Sequence, residues 1–376
     1  MRLPIPDILS PAVLNATVEE IHVRNTALQS IFGGPLLGGN TVDIGGRNFA
    51  WDVADPTREI ATGRAPGTGP SKQKPKNNDW VTGRFPRVHE AIVLDYEQIH
   101  NQRAIGGPVG EIDRAGRSYI ARQAMIKKQR VSNHIEFQLA AMLRGTYYYS
   151  IDGDDLIPSF TSGDITVDFR IPSGNKLIGA SFATGLDPLG EGNIIDASWA
   201  TTSTKIIEHL YKIDDAMTRL WGGRLGHVVT TSKVMMSVFN NTQVQQFAGT
   251  SVSPFEVVQK QLNPEQVDFR IRIRGADWVQ FHVVNESLNL NGTATRMIPE
   301  GYCSFIPDVG GDWFEYWNGS EIVVPWVGQQ GYEAFGMHFW AKPIDEPAGY
   351  KLMSVHNGIP ALHKPKALMF ARVQND

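Results

Sequence analysis

The sequence predicts an α+β protein, and three observations carry that prediction. The run from Glu111 to Arg144, EIDRAGRSYIARQAMIKKQRVSNHIEFQLAAMLR, has no proline and only Gly116 as an internal breaker, so it reads as one helix. At about 1.5 Å per residue it is a rod of roughly 50 Å, where globular helices average about three turns. The second half instead alternates polar and apolar residues, as in VDFRIRIRG and WVQFHVV, which is the pattern of strands. Between the N-terminus and the helix lies a third kind of sequence, from Thr57 to Arg84. It is rich in Gly, Pro, Ser, Thr and Asn, and holds almost nothing with which to build a core.

Size and composition bound the function. A chain of 376 residues is long enough for two domains or one elaborate one. A formal net charge of -4 excludes a dedicated nucleic-acid binder by bulk charge, so any contact with DNA has to come from local patches. Gly at 37, Pro at 22 and only 20% charged residues suit a protein with extended segments and much surface buried against neighbours; many turns account for them as well. Cys303 is the single cysteine, which excludes a disulfide within this chain and fits a reducing compartment. No apolar run of 18 residues occurs, so no membrane span is expected, and MRLPIPDILS lacks the apolar core of a signal peptide.

Taken in order, residues 1 to 31 begin as proline-spaced extended chain, then become ambiguous between Pro11 and Gln29. FGGPLLGG at 32–39 is a turn-rich break. TVDIGG and FAWDVA alternate as a half-buried strand or hairpin arm does. The stretch that follows is basic through Arg58, Arg64, Lys72, Lys74, Lys76 and Arg84, and carries Trp80. Loops beyond about 15 residues are uncommon in a compact domain and are usually functional. No GxxxxGK[ST] is present, so phosphate cradling does not explain the glycines. The stretch reads as an arm that becomes ordered on something outside its own fold. VHEAIVLDYEQI at 88–99 is a strand leading to the helix.

On the long helix, Ile112, Ala115, Tyr119 and Ile126 mark one apolar stripe, continued with a drift of register by Val131, Ile135, Leu139 and Met142. Gly145 stops it. Its charge is lopsided: Arg114, Arg117, Arg122, Lys127, Lys128, Arg130 and Arg144 stand against Glu111, Asp113 and Glu136. A solvated helix face accounts for this, and so does a basic surface set against a polyanion.

After the helix, TYYYS and ITVDFRI predict a hairpin, and 172–200 a loop. Ser203 to Trp221 repeats apolar residues at helical spacing, HVVTT at 227–231 is a buried strand, and Ser232 to Phe239 and Pro254 to Leu262 are short helices. VDFRIRIRG pairs with WVQFHVV, and the remainder is aromatic and β-leaning.

No constellation carries chemistry. The ten histidines are scattered, without HExxH or Cys/His ligand spacing, and no GxSxG occurs. Asp152, Asp154 and Asp155 are explained by a turn, Glu208 with His209 and Asp214 with Asp215 by helix surface, and Cys303 by a core position. Trp313, Phe314, Tyr316 and Trp317 suit stacking on sugars or bases and suit a sheet core equally well. No cofactor, metal or catalytic residue is expected. What remains is architectural: a building block whose extended parts find their partners in neighbouring copies.

That order of elements resembles the lambda-like major capsid protein E family of tailed bacteriophages. The resemblance rests on the proline-containing arm, the glycine- and lysine-bearing loop, the run RQAMIKKQRVSNHIEFQLAAMLRGTYYYS, the strand-then-helix HVVTTSKVMMSVFNN, and GTATRMIPEGYCSFIPD. It implies an HK97-type fold with an N-terminal arm (1–38), an extended loop (39–87), a peripheral domain (88–224) holding a spine helix (111–144), an axial domain (225–310) and a return to the peripheral domain (311–376). It implies a shell subunit and no enzyme, assembled in the host cytoplasm into hexamers and pentamers of an icosahedral virion. Implied partners are a portal protein, a scaffolding protein, a decoration protein and packaged double-stranded DNA bound without sequence specificity; no membrane is involved. Arg58, Arg64, Lys72, Lys74, Lys76 and Trp80 are then loop contacts to a neighbour. Arg114, Arg117, Arg122, Lys127, Lys128 and Arg130 become an inner basic face. One branch of the fold cross-links a loop lysine to an asparagine; lambda-like members do not, and none is expected here. Two alternatives stand beside this: an encapsulin-like nanocompartment shell, and a β-rich phage-associated carbohydrate hydrolase, which needs two converging carboxylates.

Overall fold

The computed structural model describes residues 9–19, 27–32, 40–53, 79–95, 114–152, 155–179, 181–182, 185–248, 255–259, 267–274, 277–290, 292–308, 313–324, 330–345 and 349–375. The chain opens with helices α1 (Pro11–Glu19) and α2 (Ala27–Phe32), then strands β1 (Thr41–Ile44), β2 (Asn48–Val53), β3 (Asp79–Arg84) and β4 (Arg87–Asp95). The spine helix α3 (Arg114–Arg144) follows, and Glu111 to Asp113 lie outside the described residues. Next come β5 (Thr146–Asp152), β6 (Asp155–Ser159), β7 (Ile165–Asp168) and β8 (Lys176–Leu177). Helix α4 (Ile206–Leu220), β9 (Leu225–Thr230), α5 (Ser232–Phe239) and α6 (Thr242–Ala248) lead into β10 (Phe255–Gln259), β11 (Val267–Arg274) and β12 (Asp277–Val283). The last strands are β13 (Ser287–Leu290), β14 (Thr293–Arg296), β15 (Tyr302–Pro307), β16 (Phe314–Val323), β17 (Tyr332–Phe335), β18 (Met337–Ile344), β19 (Gly349–Leu362) and β20 (Met369–Arg372).

The spine helix ends where Gly145 adopts φ +91° and donates its N–H to Ala141 and Met142 at 3.0 and 2.9 Å, a left-handed stop open to glycine. From Ile135 to Leu143 every residue is buried, so this half is a core pillar rather than an amphipathic face. In the other half the buried stripe runs through Ile120, Ala124, Lys127, Lys128 and Val131. Ile126, expected on the apolar stripe, is 46% exposed. The reason is α1, whose Leu14 and Val18 share a core with Ile120 and Ala124 and so select a stripe rotated away from Ile126.

Two sheets organise the rest. In the first, β19 is central: residues 349–357 pair with β4, 349–356 with β18, and 358–362 with β16. Gly358 stands where the partner changes, and a Cβ there would lie 2.6 Å from the Tyr316 ring. Strand β1 adds to β16 in parallel, and β17 pairs with the far end of β16. The free edge of β18 is covered by α1, because the Asn15 carboxamide accepts from the N–H of Phe339 at 2.9 Å and donates to its carbonyl at 3.0 Å. A side-chain amide thus takes the place of a strand neighbour, one way of guarding an edge.

The second sheet has the order β10-β11-β12-β9-β15-β20-β8. The spacing Ile206, Leu210, Ile213, Met217 puts the apolar face of α4 into this sheet's core, alongside Leu186, Ile195 and Trp199 and with Met369, Ala371 and Val373 from the far end of the chain. The boundaries expected at 224 and 311 therefore cut through one hydrophobic core. Two local expectations also change. Pro254 to Leu262 does not contain a helix in its described part, because Phe255–Gln259 pairs antiparallel with β11; ladder pairing wins over weak local preference. The hairpin after the spine has three strands, with β5 between β6 and β7.

Candidate functional site

A molecule without a catalytic cluster is read through the elements that project from it and the groups that hold them. The first is the ribbon of β2 and β3, which pair antiparallel from Asn48↔Arg84 to Val53↔Asp79. Period-two alternation splits its faces. Phe49, Trp51 and Val81 are buried, and Trp51 sits among the rings of Phe49, Phe169 and Trp317. Gly83 lets the Phe49 ring lie across the ribbon, since a Cβ there would be 2.5 Å from it. The other face carries Trp80, 60% exposed. Arg58, Arg64, Lys72, Lys74 and Lys76, which fall between β2 and β3 in the sequence, lie outside the described residues.

The spine charges divide by depth. Arg122 and Arg130 are exposed, and Arg130 pairs with Glu90 at 2.8 Å. Lys127 and Lys128 are each 5% exposed, which departs from the expectation of one continuous basic face. Lys127 turns toward Glu90 at 3.8 Å, and burial lowers its pKa against that carboxylate's pull. Lys128 donates to the carbonyls of Val18 and Glu19 at 2.5 and 3.3 Å, a cation on the C-terminus of α1. The side chains of Arg114 and Arg117 lie outside what is described.

Eight residues further along the same helix, Glu136 does the opposite task. Fully buried, it accepts from the N–H groups of Leu28 and Gln29, both at 2.9 Å, so a carboxyl group takes up two of the free donors at the N-terminal end of α2. Burial pushes its carboxyl up to about 8, although those backbone donors pull it down. Gln29 donates to Ser132 Oγ at 3.0 Å. Beneath this, Gln138 donates to the Gly358 carbonyl at 2.8 Å and accepts from the Tyr316 hydroxyl at 2.6 Å. Sequence reading missed this docking of the arm because the partners lie more than 100 positions apart, beyond any local pattern.

The residues weighed for chemistry have structural uses. His209 and Asp214, expected on a helix surface, are 3% and 2% exposed. His209 Nδ1 accepts from Trp199 Nε1 at 3.1 Å and its Nε2 faces Asp196 at 2.9 Å, pinning the 194–199 loop to α4. Asp214 accepts the N–H of Leu225 at 3.0 Å. Cys303 is buried with its thiol pushed up to about 12, so it is no nucleophile at neutral pH. Trp313, Phe314, Tyr316 and Trp317 are core residues. Among the described residues no group of three His, Cys, Asp or Glu could hold a metal ion, and no helix is long and apolar enough to cross a membrane.

The family model for phage major capsid protein E matches residues 10–373. No curated protein matches the sequence. Among solved structures, the protein assigned as the capsid protein of a prophage of E. coli CFT073 is similar at a TM-score of 0.55 and 12% identity, over 97% of this chain and 99% of that one. A phage-related protein from Bordetella bronchiseptica RB50 is similar at 0.52 and 8%, over 97% of each chain. Identities this low speak for the fold alone.

Proposed function

This chain belongs to the phage major capsid protein E family, and from that premise we propose how its parts serve a head shell. It is a structural capsid subunit of HK97-type α+β fold that assembles with copies of itself into an icosahedral phage head. The observation that carries this reading is the family match over 10–373, nearly the whole chain.

The finer assignments are our inference. The extended loop, with Arg58, Arg64, Lys72, Lys74, Lys76 and Trp80, lies on the adjacent subunit. In support, the described ribbon anchors one face in its own core and leaves Trp80 on the other, and large exposed aromatics mark interfaces. Arg122 and Arg130, with Arg114 and Arg117, face the packaged double-stranded DNA and offset phosphate charge without reading sequence. Lys127 and Lys128 stay inside the subunit. The sheet of β9 to β12 with β15 is the axial part, around hexamer and pentamer axes; the spine and the sheet of β4, β16, β18 and β19 are the peripheral part. A portal protein, a scaffolding protein and a decoration protein complete the particle, which assembles in the host cytoplasm.

Negative-stain electron microscopy of the purified, overexpressed chain, with light scattering, tests the shell. Closed shells or capsomer sheets are expected. Monomers persisting on co-expression with scaffolding and portal proteins would overturn the reading.

A further inference from the structure

The base of the β2–β3 ribbon sits beside one buried carboxylate. Glu321 lies on β16, 5% exposed, just past the point where that strand exchanges β19 and β1 for β17. Its Oε1 accepts from Nη2 of Arg47 at 3.3 Å and from Nη2 of Arg87 at 3.1 Å. Its Oε2 forms an ion pair with Arg87 Nε at 3.1 Å and accepts from Asn357 Nδ2 at 3.1 Å. Arg47 immediately precedes β2, and Arg87 opens β4 just after β3, so the two guanidinium groups flank the base of the ribbon. The base is tied further by main-chain bonds: Phe85 N–H to the Arg47 carbonyl at 3.0 Å, and Ser320 N–H to the Gly46 carbonyl at 3.2 Å. Gly46 N–H returns to Ser320 Oγ at 2.8 Å.

Two kinds of force act here and they control different things. Phe49, Trp51 and Phe85 hold the ribbon down by apolar packing, which is non-directional and tolerates sliding and rotation. A carboxylate gripped by a guanidinium fork on one leg and a second guanidinium on the other is directional. Rotating the ribbon about its base breaks the hydrogen bonds of one arginine or the other. An ion pair serving stability alone has no need to span both legs.

We propose that Glu321 is a positioning residue: it sets the direction in which the extended loop leaves the subunit, and through it the uniformity of the assembled shell. This rests on the reading that the loop contacts a neighbouring copy. Glu321→Gln keeps the shape and removes the charge, placing an amide NH2 against the arginines. Arg87→Lys keeps the charge and removes the fork. In either full-length variant, amide hydrogen exchange at Phe85 and along 79–84 is expected to rise about tenfold while the two sheet cores keep wild-type rates. Shells imaged by electron microscopy are expected to lose their single diameter. Unchanged exchange along the ribbon, an equal rise throughout the chain, or a loosened ribbon with shells as uniform as wild type would each overturn the proposal. Should Glu321→Gln fail to fold, Arg87→Lys and the milder Arg47→Lys carry the same test. A chain lacking 55–78 separates the two ideas: uniform shells from it would refute the loop contact itself, whereas irregular shells leave only the role of Glu321 in question.

Discussion

The two halves of the spine helix are one secondary structure put to two uses. From Ile135 to Leu143 the helix is buried on every side, with core partners from α2, β2, β5, β16 and β19. From Ser118 to Arg130 it has a narrow buried stripe under α1 and an outer side carrying Arg122, Met125, Ile126 and Arg130. The difference shows how a long helix can be a rigid pillar at one end and a docking rail at the other. The rail half relies on Lys128 and the pillar half on Glu136 to receive the helices of the N-terminal arm.

The sharpest way to break that comparison is to truncate one apolar residue in each half. Leu139→Ala in the pillar is expected to cost about 2–5 kcal/mol in denaturant unfolding, and Ile126→Ala on the rail within about 0.5 kcal/mol. Equal losses would show that the exposed side is covered in solution and the contrast false.

Glu136 gives the next effect. Its folded carboxyl titrates near 8 against an ordinary value of 4.5, so the fold holds the proton more tightly than the unfolded chain does. The sign follows: its contribution is fully favourable below about pH 4.5 and is lost as pH rises toward 8, at up to about 1.4 kcal/mol per pH unit. Glu136→Gln should remove that slope, so wild type minus variant, measured by urea unfolding at intervals from pH 5 to 8, should fall steadily. A flat difference would mean that the carboxyl is not desolvated and the pillar is wetter than described.

Lys128→Met should cost about 1–3 kcal/mol, because it leaves the carbonyls of Val18 and Glu19 without that donor. The loss should appear first as faster proteolysis within 9–19, with the second sheet's core still protected. Cleavage at the wild-type rate would show that α1 is held by its apolar packing alone. The smallest effect is reserved for the outer side. Arg122→Ala should leave stability within about 0.5 kcal/mol and reduce the salt dependence of DNA binding by shells, since removing one cation from a phosphate lowers the slope by about one. An unchanged slope would remove Arg122 from the DNA-facing surface.

Much of the architecture was legible in the sequence because it depends on neighbours along the chain. Gly145 after a proline-free run marks the helix stop, the spacing of Ile206, Leu210, Ile213 and Met217 marks α4, and the alternation of VDFRIRIRG marks β11. Tertiary structure decided the rest. Which side of the spine is buried depends on α1, so Ile126 faces outward while Lys127 and Lys128 are covered. Whether 255–259 is helix or strand depends on β11. That β20 and β8 complete the second sheet depends on segments nearly 200 positions apart meeting edge to edge. Glu321 is one unremarked acid in SEIVVP until the fold brings Arg47 and Arg87 to it from 274 and 234 positions away. Periodicity and turn chemistry are local properties of a chain, written into successive residues. The partner of a buried charge is set by where distant segments cross, and no window of sequence contains that.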